Sequence, residues 1–112
     1  MAASEDPPTD PSEEIDPAAA ALRAAMDRLS RRGWSRGELI AALVRAGFDD
    51  EPAEAAVSTC VARGWLDESQ AARDRAARLR RRGPVAPDAI VRDLERHQVP
   101  SDLAVQIAAE TV

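Results

Sequence analysis

Apolar positions along this chain recur at steps of three and four, and no stretch alternates with period two for long enough to make a strand. Leu22, Met26 and Leu29 predict a helix over about residues 18–31, with Asp16 as N-cap, Pro17 in its first turn and Gly33 at its end. Ser35 and Glu38 stand at capping-box spacing, each placed to bond the other's free N–H, and open a second helix. Its stripe is Leu39, Ile40, Leu43 and Val44, closed by Gly47 with Phe48 packing back behind it. A third helix near residues 51–63 shows Ala53, Val57, Cys60 and Val61 on one face and stops at Gly64, before Trp65 and Leu66. Asp67, with Gln70 three residues on, starts a fourth that runs to Gly83 over a poor apolar face of Ala72, Ala76 and Leu79. A fifth begins near Pro87 and carries Ile90, Val91 and Leu94 toward His97. The sixth starts at Ser101 with Leu103 and Ile107. The expected class is all-α.

The pattern also repeats. Leu29-Ser30-Arg31-Arg32-Gly33 lies over Leu79-Arg80-Arg81-Arg82-Gly83. After a one-residue insertion Leu39 matches Ile90, Leu43 matches Leu94, Phe48 matches Val99 and Ala53 matches Ala104. Repeats of roughly 50 residues stack side by side to share a core, so two tandem three-helix units are expected, of right-angle bundle type, over residues 18–66 and 67–112.

Composition sharpens this picture. The 45% apolar share rests on alanine, with one Phe, two Trp and no Tyr, so a few large side chains must carry a thin core. Residues 1–17 hold six carboxylates, four prolines and no base, and are expected to be a disordered tail. Without them, fifteen arginines face fourteen acids, so the net charge of −5 belongs to the tail. Such a tail either keeps the chain soluble or folds back onto a basic face. One cysteine precludes an internal disulfide, and no apolar run reaches the roughly 18 residues of a membrane span. A cytoplasmic monomer with no membrane partner is the expectation.

The chemistry concentrates in Arg73, Arg75, Arg78, Arg80, Arg81 and Arg82. On a helix these cover much of the circumference, with Arg75, Arg78 and Arg82 on one stripe and Arg73 and Arg80 on another. They read either as a solvated face suited to the helix C-terminus or as a partner-binding surface. Guanidinium forks take carboxylates and phosphates alike. Arg31, Arg32 and Arg36, with Trp34 between them, are further candidate contacts at the joint of the first unit, where Trp34 is either buried or an interface anchor. Trp65 is expected to pack between the units. A helix-turn-helix reading fails, because the candidate recognition helix would present Glu51 and Glu54 to phosphates. His97 has no second histidine to share a metal, and Cys60 sits on an apolar face. No phosphate-binding glycine loop is present. No catalytic residue, metal or cofactor is expected.

One ordered set of motifs resembles a known family. Ser35-Arg36-Gly37-Glu38-Leu39 with Leu43 and Gly47-Phe48, the junction Gly64-Trp65-Leu66-Asp67-Glu68, the arginine-rich helix ending in glycine, and Pro87 with Ile90 together resemble the RecX regulatory proteins of bacteria. The likeness spans residues 22–107. Family members typically carry a third unit, and aromatics where Ala71 and Arg75 stand. The resemblance implies three-helix repeats that bind the recombinase RecA, settle in the groove of its filament on single-stranded DNA and restrain recombination, with no catalysis and no cofactor. Two other readings stay open beside it: a helical interaction module with a different partner, and a weak binder of single-stranded DNA.

Overall fold

The computed structural model describes residues 16–111 and contains, among them, six helices and no strand. They are α1 (Pro17–Leu29), α2 (Arg36–Arg45), α3 (Asp50–Ala62), α4 (Glu68–Arg81), α5 (Pro87–Arg96) and α6 (Ser101–Thr111). Residues 1–15, most of the expected acidic tail, lie outside the described residues. No helix among the described residues is long and apolar enough to cross a membrane.

The helix starts have local causes. Ser35 Oγ accepts the Glu38 N–H at 3.1 Å while the Glu38 carboxylate accepts the Ser35 N–H at 3.2 Å, a complete capping box. Asp67 Oδ1 accepts the Gln70 N–H at 3.0 Å at the head of α4. Asp16 departs from expectation: it stands at the N-cap of α1, but its side chain makes no capping bond, and only its carbonyl is engaged, by the Ala20 N–H at 3.0 Å. Gly47 (φ +112°) and Gly64 (φ +77°) close α2 and α3 in backbone regions that other residues resist. The helix α1 ends earlier than expected, at Leu29 with Ser30 as its cap, and Gly33 belongs to the following loop.

Burial falls into two clusters, one per three-helix unit. Leu39, Leu43, Val57 and Cys60 pack over Ala21 and Ala25 of α1. Ile90, Leu94 and Ile107 pack over Ala72 and Ala76 of α4. In both units the first helix contributes only alanines to the fully buried layer, which brings the third helix close but removes little area from water. Three or four larger side chains therefore hold each core.

The equivalence of the units differs from the sequence alignment. Ala21 and Ala25 correspond to Ala72 and Ala76 in burial, and Leu39, Leu43 and Ala53 to Ile90, Leu94 and Ala104, all at one constant offset. No insertion is needed: α4 is one residue longer than α1, and the turn after it is one residue shorter. The Arg-Arg-Gly echo is displaced by one position from this register. Gly83 (φ +140°) therefore has Arg32 as its counterpart, and Gly33, whose φ is ordinary, has Pro84.

The units meet through a polar, glycine-lined joint. Ser35 Oγ donates to the His97 carbonyl at 2.6 Å, and the Arg36 N–H donates to the Glu68 carboxylate at 2.9 Å. Gly33 lies so close to Ala71 that a Cβ on it would sit 3.0 Å from the alanine Cβ. At the positions equivalent to Gly33, Ser35, Arg36 and Gly37 the second unit has Pro84, Ala86, Pro87 and Asp88. These provide no hydroxyl, no N–H at Pro87 and no open Cα at Asp88, so the joint's chemistry is present once.

Gly37 allows a direct test. A Cβ there would stand 2.8 Å from Gln98 Oε1 and 2.9 Å from Gln98 Cβ, and Gln98 is itself held at φ +64°. Gly37→Ala is expected to destabilise the protein by about 1–2 kcal/mol, the contact outweighing the helix propensity gained. In a Gln98→Gly background, which removes the obstructing Cβ, the same change is expected to stabilise. Chemical denaturation of the four proteins of this cycle measures the coupling.

Candidate partner-binding surface

The arginine cluster is built on α4, whose only buried residues are Ala72 and Ala76, leaving most of its circumference for charge. Arg78, Arg80 and Arg81 fall in its last turn, where cations suit the negative end of the helix dipole. The six arginines divide into two sets. Arg73 Nε is 3.0 Å from Glu110 Oε1, and Arg80 Nη1 donates to the Thr111 carbonyl, so that stripe is tied to the end of α6. The Arg73 hydrogen bond holds the Glu110 carboxyl below its usual range. Arg75 turns inward. Its Nε and Nη2 reach Asp93 Oδ2 and Oδ1 at 2.5 and 3.2 Å, a bidentate pair. Arg78, Arg81 and Arg82 make no ion pair and no side-chain hydrogen bond among the described residues. The expected stripe of Arg75, Arg78 and Arg82 therefore has one member committed to the fold.

Asp93 is the centre of this arrangement and was not singled out from the sequence. It is 7% exposed and sits between Ile90 and Leu94 on the inward face of α5. Burial pushes its carboxyl up. The hydrogen bond and charge of Arg75, with His97 and Arg96 nearby, more than reverse this and hold it below the ordinary carboxylate range. Arg96 Nη2 lies 3.3 Å from Oδ1, and His97 Nδ1 lies 2.8 Å from the Asp93 carbonyl. The equivalent positions of Arg75 and Asp93 in the first unit are Ala24 and Ala42. The signal was an acid in an apolar stripe, at the third residue after Ile90.

The joint brings part of the first unit's set to the same place. Arg32, Arg75 and Arg78 line one crevice with Ser35, Glu68 and His97. Its free volume of about 30 Å³ has room for roughly one or two waters, so an anionic partner would lie across it and not inside it. Arg32 is engaged already: its guanidinium stacks 3.5 Å over the Trp34 ring and stands 3.6 Å from Glu38. The Trp34 indole N–H donates to the Arg28 carbonyl at 3.1 Å and its ring packs against the first core, which gives it a structural role. Arg31 pairs with Asp27 at 3.3 Å with both side chains exposed, a contact of little energetic weight. Arg36 reaches Ser58 Oγ on α3 at 3.0 Å and does not line the crevice.

Trp65 corrects another expectation. It does not pack between the units as a core residue but is 43% exposed, with Arg63 at 5.2 Å from its ring. Its backbone explains this: Gly64 reverses the chain so that the Trp65 and Leu66 N–H groups both return to the Cys60 carbonyl. Leu66 takes the buried place, 4% exposed. Cys60 is fully buried, its thiol pushed up by that burial. Compared with family models, with curated proteins and with solved structures, the chain matches none.

Proposed function

We propose that this chain is a RecX-like regulator: an all-helical binding protein that seats on the RecA filament and restrains recombination by occupying its groove, with no chemistry of its own. The observation that carries this reading is the group of three arginines at the end of α4, Arg78, Arg81 and Arg82, which have no ion pair or side-chain hydrogen bond among the described residues while their neighbours are consumed in the fold. Exposed guanidiniums with no carboxylate against them among the described residues are placed to recruit external ones. The ordered set of motifs, from the capped second helix to the proline-started fifth, supports the choice of partner.

The test is co-sedimentation with RecA filaments assembled on single-stranded DNA, with the DNA alone as a second arm. The expected result is retention by the filament and little retention by the DNA at physiological salt. Retention by DNA alone, falling steeply with salt at a log–log slope near −0.7 per phosphate contact, favours the nucleic-acid reading. Retention by neither contradicts the proposal.

A further inference from the structure

Of the described large apolar side chains that remain exposed, two meet at one place: Met26, 44% exposed on α1, and Trp65, 43% exposed at the α3–α4 junction. With Leu29 and Ser30 they line a hollow of about 270 Å³. A second hollow of about 220 Å³ shares Leu29 and Trp65 and extends past Trp34 to Asp67, Gln70 and Asp74. The result is a continuous groove along α1 and the first half of α4. Trp34 is a fixed wall of it, held by the Arg28 carbonyl and covered by Arg32. Trp65 is not: its indole N–H has no hydrogen bond among the described residues, so the ring is both a large exposed apolar surface and an unused donor.

The charges along the groove are unequal. Arg31 and Arg32 are answered by Asp27 and Glu38, and Arg63, with no ion pair among the described residues, lies 5.2 Å from the Trp65 ring as a cation beside the apolar end. On the α4 side, Asp67 Oδ1 accepts only the Gln70 N–H and Asp74 Oδ1 only the Gln70 side-chain amide, and neither carboxylate has an ion pair among the described residues. They stand two helical turns apart on one face, about 10 Å along the axis. A helix laid beside α4 with basic residues at i and i+7 would face both carboxylates, and the second hollow, which Trp65, Asp67 and Asp74 line together, would take an aliphatic residue between them.

We propose that this groove, separate from the arginine edge at the other end of α4, docks a basic amphipathic helix through an aliphatic anchor on Met26, Leu29 and Trp65 and through cations on Asp67 and Asp74. Anchors of this kind carry most of the affinity of helix-in-groove complexes, and the flanking charges set orientation.

The probe is a leucine–lysine peptide of about 18 residues with helical apolar spacing, and its leucine–glutamate counterpart as control. Titration of the full chain is followed by calorimetry and by tryptophan emission. The expected result is one-to-one binding of the lysine peptide with a blue shift, and none of the glutamate peptide. Trp65→Ala is expected to weaken it about tenfold or more. Asp67→Asn with Asp74→Asn, which retain the Gln70 hydrogen bonds, weakens it several-fold, while Asp88→Asn with Asp102→Asn, an equal change of charge elsewhere, leaves it unchanged. Equal loss in the two double variants, binding indifferent to Trp65→Ala, binding of the glutamate peptide, or no binding overturns the proposal. So does capture of a single-stranded oligonucleotide that Trp65→Ala abolishes, which would make the ring a base-stacking platform.

Discussion

Leu43→Ala is expected to remove about 3 kcal/mol, most of the stability available to the first three-helix unit. Leu43 is fully buried, and among the described residues the first core otherwise has Leu39, Val57 and Cys60 as fully buried side chains larger than alanine, with Leu66 nearly so. The alanines of α1 cannot move in to fill the gap without carrying the helix with them, so the cavity persists. The loss is also expected to be local. The two clusters share no residue, and the joint between them is a few polar bonds and close glycine contacts. Hydrogen exchange of the variant is expected to show α1, α2 and α3 opening together while the amides of α5 and α6 keep most of their protection. Uniform loss of protection across both units would mean that the joint couples them more strongly than its contacts indicate.

Asp93→Ala is expected to cost about 2–3 kcal/mol, somewhat less than the loss of one partner from a fully buried pair, because the Arg75 side chain is 33% exposed and retains some water. The double change Arg75→Ala with Asp93→Ala is expected to be less harmful than Asp93→Ala alone, since it recreates the Ala24 and Ala42 arrangement of the first unit. The acid dependence follows from the lowered carboxyl. Its folded value lies below the unfolded value of about 3.9, so its contribution is complete above that pH and is lost as the pH falls through the folded value. The stability difference that Asp93→Asn makes in a His97→Gln background, which removes the imidazole charge from the site, is measured by denaturation at a series of pH values. It should therefore be constant near neutrality and shrink only in acid. A difference that shrinks as the pH rises toward neutrality would contradict the assignment.

Most of the fold was legible because its signals are local. Ser35 with Glu38, Asp67 with Gln70, and Pro87 at a first turn act within a few residues, and the helices start where these residues place them. The misses are tertiary. Arg75 and Arg82 look equivalent on a helical wheel. Only the position of α5 shows that one faces a buried carboxylate and the other faces solvent. Trp65 has the size of a core residue, but the turn at Gly64 gives the buried position to Leu66. The Arg-Arg-Gly echo outweighed the alanines in the alignment because alanine is so common in this chain that Ala21 and Ala25 mark no register until their burial is seen. Glu110, which ties down Arg73, is 37 residues away from it in sequence and had no visible link to the cluster.

The division of the arginines is the centre of the functional account, and one comparison tests it: the affinity of RecA filaments on single-stranded DNA for Arg78→Gln/Arg82→Gln against Arg73→Gln/Arg80→Gln. Both pairs remove the same charge from the same helix. The account predicts about thirtyfold weaker binding or more when Arg78 and Arg82, which have no ion pair among the described residues, are neutralised, and a change within about twofold for the two tied to α6. Equal losses in the two variants, or a larger loss from Arg73 and Arg80, would contradict it.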